Sequence, residues 1–278
     1  MAGTDSLSYT QQHLLLSCTM FLNISYLDWI SLGWLLLCWI GYAMFAKRQA
    51  KSVASLSSVL HVHRINWMRR LLNREVRVGD AALLASLERN VNFFANSCVL
   101  IVAGLLAALS ATAEIQTVLD RISFADSISA SALELKIATL IVIYVYAFFT
   151  FTWSMRQFGF AAVLMGAMPM PDEKDVTAQE RRSAAIYSAK VIDQASHSYN
   201  YGLRAFYFSL AVVAWFIGPL WFVAAITIVI GILYEREFLS KSLKALKEVE
   251  SVGDKLFEDD KELYQRTLLK TDKDGKAK

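Results

Sequence analysis

Residues 137–155 read IATLIVIYVYAFFTFTWSM, nineteen consecutive residues without a charge. Hydrocarbon about 30 Å thick is crossed by a helix of about 20 residues rising 1.5 Å each. The run therefore has the length of a membrane crossing. It does not alternate apolar and polar residues as a strand of a membrane barrel would. Three further runs share this character: Trp29 to Ala46, Phe93 to Ala113 and Ala205 to Tyr234. The expected fold is all-α, an integral membrane four-helix bundle with spans at about 29–46, 93–113, 137–157 and 205–234.

Composition agrees. The chain has 278 residues, 55% of them hydrophobic and 19% charged; a soluble domain has about 45–50% and 25%. A net charge of +3 does not point to nucleic acid. Cys18, Cys38 and Cys98 lie in apolar stretches and form neither a disulfide framework nor a zinc pattern. No Lys or Arg precedes the first apolar run, so it does not read as a cleavable signal peptide. Three regions follow: an external segment at 1–24, the membrane domain at 25–240, and a charged amphipathic tail at 241–278.

Basic residues mark the cytoplasmic side. From Lys47 to Asn92 there are nine Lys/Arg against three acids, from Glu114 to Lys136 two against four, and from Arg156 to Arg204 six against five. The N-terminus is then outside and the loops alternate inside, outside, inside. Four spans would put the tail outside, yet Arg236, Lys241, Lys244 and Lys247 crowd the exit and favour the inside. The fourth run sharpens this conflict. Its thirty residues cover about 45 Å, and Gly218-Pro219 near the middle predicts a kink, since proline removes a helix hydrogen bond. A kinked single span is preferred, with a re-entrant hairpin as the alternative.

The intervening segments are helical by pattern. Leu60, Trp67, Met68, Leu71 and Leu72 form one stripe accompanied by arginines, as in an interfacial helix facing anionic headgroups. Gly79 ends it and Asp80 is expected to cap the next helix. Thr177-Ala-Gln-Glu180 is a capping box opening a helix to about Ser196, with a turn at Tyr201-Gly202. In the second span Ala103, Gly104, Ala107, Ala108 and Ala111 form a small-residue face that lets helices approach closely. This helix is expected at the bundle centre.

Polar groups near lipid are costly and therefore informative. The candidate cluster is Arg64, Arg74, Glu75, Arg77, Asp80, Asn96, Glu134, Lys136, Arg156 and Arg204. Asp28 reads as wet at the outer surface. Arg156 either reaches the interface or is held inside by Asn96, Glu75 or Asp80. His61 and His63 point to different helical faces, a poor spacing for a metal. No catalytic motif, metal site or cofactor is expected.

Several motifs in order carry a family resemblance: Ser58-Val-Leu-His61, Asn66-Trp-Met-Arg-Arg70, Arg74-Glu-Val-Arg77, Leu87-Glu-Arg-Asn90, Tyr146 to Gln157, Gly166-Ala-Met-Pro169, Asn200-Tyr-Gly-Leu-Arg204 and Tyr234-Glu-Arg-Glu-Phe238. Over residues 25 to 240 the chain resembles the bacterial and plant membrane-protein family known as domain of unknown function 599. The resemblance implies a multi-pass protein of a bacterial inner membrane and supplies no activity. The preferred function is a non-catalytic helix-packing or complex-associated membrane component. Its partners would be lipids, a second copy or another membrane protein. The alternatives are a small oligomeric channel or transporter, and an enzyme acting on lipid at the cytoplasmic face.

Overall fold

The computed structural model describes residues 24–49, 55–119, 121 and 129–249. The expectations for the external segment before residue 24 and for the tail beyond 249 lie outside the described residues. Among those described, the chain is helical with no strand. The helices are α1 (Tyr26–Gln49), α2 (Leu56–Leu71), α3 (Val78–Ser110), α4 (Thr112–Leu119), α5 (Ala130–Gly166), α6 (Ala178–Trp215) and α7 (Pro219–Tyr234). A π turn at Glu235–Leu239 follows, and then a helix, α8, at 241–249.

Among the described residues three helices are long and apolar enough to cross a membrane: α1, α3 and α5. The 33 residues of α3 and the 37 of α5 extend about 50 and 55 Å. Both exceed the hydrocarbon thickness.

The chain divides into two compact units. The first comprises the described residues of Met1–Lys47, Ser86–Arg156 and Ala195–Leu233. Its core has helical spacing. On α1 the buried positions are Asp28, Ser31, Leu35, Cys38, Tyr42 and Ala46, and on α5 they include Leu133, Ile137, Leu140, Ala147 and Phe151. The opposite side of α1 is equally apolar, yet Ile30 and Leu37 are both 62% exposed. A helix apolar all round but open on one side is suited to lipid. Hydroxyls on these helices bond their own backbone: Thr139 donates to the Leu135 carbonyl, Thr152 to Phe148 and Thr227 to Val223. This satisfies them without water.

The central helix is α5. Within the chain 44% of its apolar window is buried, against 11% for α3. The expectation that α3 stands at the bundle centre is therefore not met. Ala103, Gly104 and Ala107 are exposed, and Ala108 and Ala111 half-buried. The face of α3 that packs includes Val91, Ala95 and Cys98, and farther along Leu105, Ala108 and Leu109 lie against Ala132, Leu133 and Ile137 of α5. Aromatic bulk decides the matter: Phe94 of α3 lies against Phe151, Tyr199 and Phe206, with ring centroids 5.5 to 5.9 Å apart.

The fourth apolar run is not one helix. It breaks at 216–218. Gly218 and Pro219 therefore do not kink a continuous span. Pro219 opens α7, where its missing N–H would have no helical acceptor. On a continuous helix Trp215 and Phe222 would lie two turns apart, about 10 Å along the axis. Their rings instead stack with centroids 5.1 Å apart, so the chain bends sharply between α6 and α7. Nor is there a turn at Tyr201-Gly202, which lies inside α6. A Cβ at Gly202 would stand 2.5 Å from the Phe151 ring, so this glycine serves close approach rather than turning.

The second unit comprises the described residues of Arg48–Ala85, Gln157–Gln194 and Tyr234–Lys278. Ser55 caps α2 in a capping box with Ser58, and Val59, Met68 and Leu71 are its buried face. The π turn packs against α2. The Thr177/Glu180 capping box forms as expected: Thr177 Oγ1 accepts from the Glu180 N–H at 3.2 Å, and the Glu180 carboxylate accepts from the Thr177 N–H at 2.8 Å. The Thr177 N–H and hydroxyl both donate to the carboxylate, favour its ionised form and hold the Glu180 carboxyl below its ordinary value.

Candidate functional site

The charged residues gather around three buried carboxylates. In the second unit Asp193 of α6 accepts from Arg64 at 2.6 Å and is bonded by His61 Nδ1. His61 and Arg64 are three residues apart on α2, so one helical face presents both.

The second centre is Asp80. It was expected as a cap, but α3 already begins at Val78 and Asp80 lies in its first turn. It is 2% exposed, accepting from Trp67 Nε1 at 2.6 Å and Arg74 Nη1 at 2.5 Å. Arg77 donates to the carbonyls of Met168 at 2.7 Å and Pro169 at 2.6 Å. Of the five charged residues from Arg64 to Asp80 expected to hold a headgroup, Arg74 thus pairs with Asp80, Arg77 is bonded to these carbonyls and Arg64 pairs with Asp193. Glu75 is exposed.

The third centre is in the first unit. Asp28 is buried rather than wet. Its Oδ1 accepts from Trp215 Nε1 at 3.0 Å and faces Lys136 Nζ at 3.5 Å. Lys136, 3% exposed, also lies over the Trp215 ring at 5.4 Å. The contact joins α1, α5 and the end of α6. Two more polar contacts bind α5 to α6: Ser209 with the Tyr144 hydroxyl at 2.8 Å, and Ser154 donating to the Ala195 carbonyl at 2.7 Å. Glu134 is half-buried, while Asn96 and Arg156 are exposed.

Between α1, α5 and α6 the first unit opens an apolar cleft of about 740 Å³. Leu32, Leu36, Ile40, Val142 and Phe208 are among its walls. Arg204 also lines it, with its guanidinium 5.4 Å from the Tyr42 ring and 5.6 Å from the Tyr201 ring. The lining residues include no acid. Among the described residues no cluster of His, Cys, Asp and Glu could hold a metal.

A family model described as a protein of unknown function, DUF599, matches residues 30–242. The chain belongs to this family. The DUF599 match takes in Asp80, Lys136, Asp193, Arg204 and both walls of the cleft, but begins just after Asp28. Neither the curated proteins nor the solved structures contain a match to the chain.

The sequence names Arg64, Asp80 and Lys136 but does not give their companions: His61 and Asp193 for Arg64, Trp67 for Asp80, and Asp28 and Trp215 for Lys136. A usable signal existed for one pair. Asp28 and Lys136 have opposite charge and open the first and third apolar runs, which start on the same expected side. His61 was discounted because only metal binding was considered, not its i+3 relation to Arg64.

Proposed function

We propose that this DUF599 protein is a non-catalytic, multi-pass component of a bacterial inner membrane that assembles laterally through α3. The observation that carries this reading is the exposed face of Ala103, Gly104 and Ala107 on a helix only 11% buried within the chain. A Cβ added at Gly104 meets nothing within 4 Å. Small residues let a second helix approach closely enough for dispersion contact, which is what drives helix association in lipid. The occupant is a second copy or another membrane protein.

The charge pattern supports a particular topology. Five crossings follow from α1, α3, α5, the second half of α6, and α7 with its π turn. The N-terminus is then outside and the tail inside, and the three basic segments share the cytoplasmic side. The conflict raised by four spans disappears. Engagement of Arg64, Arg74, Arg77 and Asp80 in contacts within the chain also weighs against a headgroup-cleaving site there.

Disulfide trapping tests the assembly. Ala103→Cys, in a chain whose native cysteines are serines, is expected to give a defined crosslinked species in native membranes. Gly104→Leu should abolish it. A monomer at every oxidant level, with or without Gly104→Leu, refutes lateral assembly through this face.

A further inference from the structure

The apolar cleft is separate from the α3 face and has a chemistry of its own. Its mouth is open to the side, with Val142 68% and Ile40 56% exposed. From Tyr42 to Leu32 along α1 it runs ten residues, about 15 Å. That is half of the roughly 30 Å hydrocarbon, the depth of one leaflet. Its volume lies within the ~300–1,000 Å³ of sites that enclose small molecules. Toward one end stands Arg204, flanked by the tyrosine rings, with no carboxylate in the lining to oppose an anion. An arginine fork matches phosphate oxygens in pairs, and its delocalised charge tolerates partial desolvation better than an ammonium does.

We infer that this cleft is a lateral binding site for an anionic phospholipid, one acyl chain lying in the trough and the phosphate against Arg204. The charge selects the headgroup, and the trough selects a chain from the bilayer rather than a soluble phosphate. Tyr42 and Tyr201 hold the guanidinium plane by cation–π contact, so the cation is in place before the lipid arrives. The site does not depend on assembly through α3.

The test uses the full chain in nanodiscs of equal phosphatidylglycerol and phosphatidylcholine. Lipid retained after mild detergent extraction is counted by native mass spectrometry. The wild type is expected to keep phosphatidylglycerol about tenfold over phosphatidylcholine. Arg204→Gln should lose that preference while still holding a chain. Val142→Trp, at the open mouth where a larger side chain fits without disturbing the core, should lose both lipids. Equal retention of the two lipids by the wild type overturns the proposal, as does an unchanged preference in Arg204→Gln. A photocrosslinker at residue 142 distinguishes the remaining occupant. Adducts with lipid support the site, and adducts with residues 1–23 of the same chain overturn it.

Discussion

Gly202→Ala is a sharp probe of how closely α6 packs on α5. Three ring atoms of Phe151 lie 2.5, 2.6 and 2.8 Å from the position of the new Cβ. All three are inside van der Waals contact, so something must move. The ring is fully buried and enclosed by Phe94, Tyr199 and Phe206 at centroid distances of 5.5 to 5.9 Å, so it has no empty space to enter. Overpacking of this kind costs about 1–3 kcal/mol, and the close contacts place it at the upper end. Alanine recovers about 1 kcal/mol of helix propensity over glycine. The balance is a net loss of about 2 kcal/mol. Gly104→Ala is the control, since nothing lies within 4 Å of its Cβ and only the propensity gain remains. Reversible unfolding in mixed micelles, followed by tryptophan fluorescence, measures both. Phe151→Leu should rescue Gly202→Ala in a double-mutant cycle, with a coupling of about 1–2 kcal/mol. If Gly202→Ala is as stable as Gly104→Ala, the close approach of α6 to α5 is refuted.

The buried Asp28–Lys136 pair gives a second test. Lys136→Met leaves a buried carboxylate without its cation and should cost about 3–5 kcal/mol. Adding Asp28→Asn, which keeps an acceptor for Trp215, should restore most of that loss by the same unfolding assay. Equal stability of the single and double variants would remove the pair from the account. The α6 capping box supplies a pH dependence. The Glu180 carboxyl is held below its ordinary value by the Thr177 N–H and hydroxyl. Its contribution is therefore complete above that ordinary value and is lost as pH falls through the lowered one. Amide protection factors at 177–181, taken relative to the intrinsic exchange rate at each pH, should fall on acidification in the wild type and be low at all pH values in Glu180→Ala. A protection pattern insensitive to both changes would contradict the cap.

The three long apolar helices were legible because lipid demands an uncharged run of fixed length and permits few alternatives. The α6 start was legible because a capping box is local chemistry within four residues. The break at 216–218 was signalled by Gly218-Pro219, with a hairpin there as the less favoured reading; hydropathy did not decide between kink and break, since Phe216, Ile217 and Gly218 are as apolar as their neighbours. Residues 205–215 of α6 were legible as part of the fourth apolar run, but their continuity with 178–204 was hidden by Arg204 and the polar residues before it. The central helix was misread because small residues announce what could pack, whereas the Phe94 and Phe151 rings determine what does. Partners far apart in the chain, such as Arg64 with Asp193, depend on helix register in three dimensions, which periodicity alone does not contain. The polar residues singled out from the sequence were good candidates for burial at Asp80 and Lys136 and poor ones at Asn96 and Arg156.

The central claim is a hairpin of α6 and α7 that returns the chain to the cytoplasmic side. Cysteine labelling in intact cells and inverted vesicles addresses it directly. Single cysteines at Gly218 in the turn and Ser240 after the π turn are introduced into a chain lacking Cys18, Cys38 and Cys98. Membrane-impermeant maleimide should label Gly218→Cys only from outside and Ser240→Cys only from inside. Labelling of both from the same side, or of Ser240→Cys from outside, would contradict the five-crossing topology.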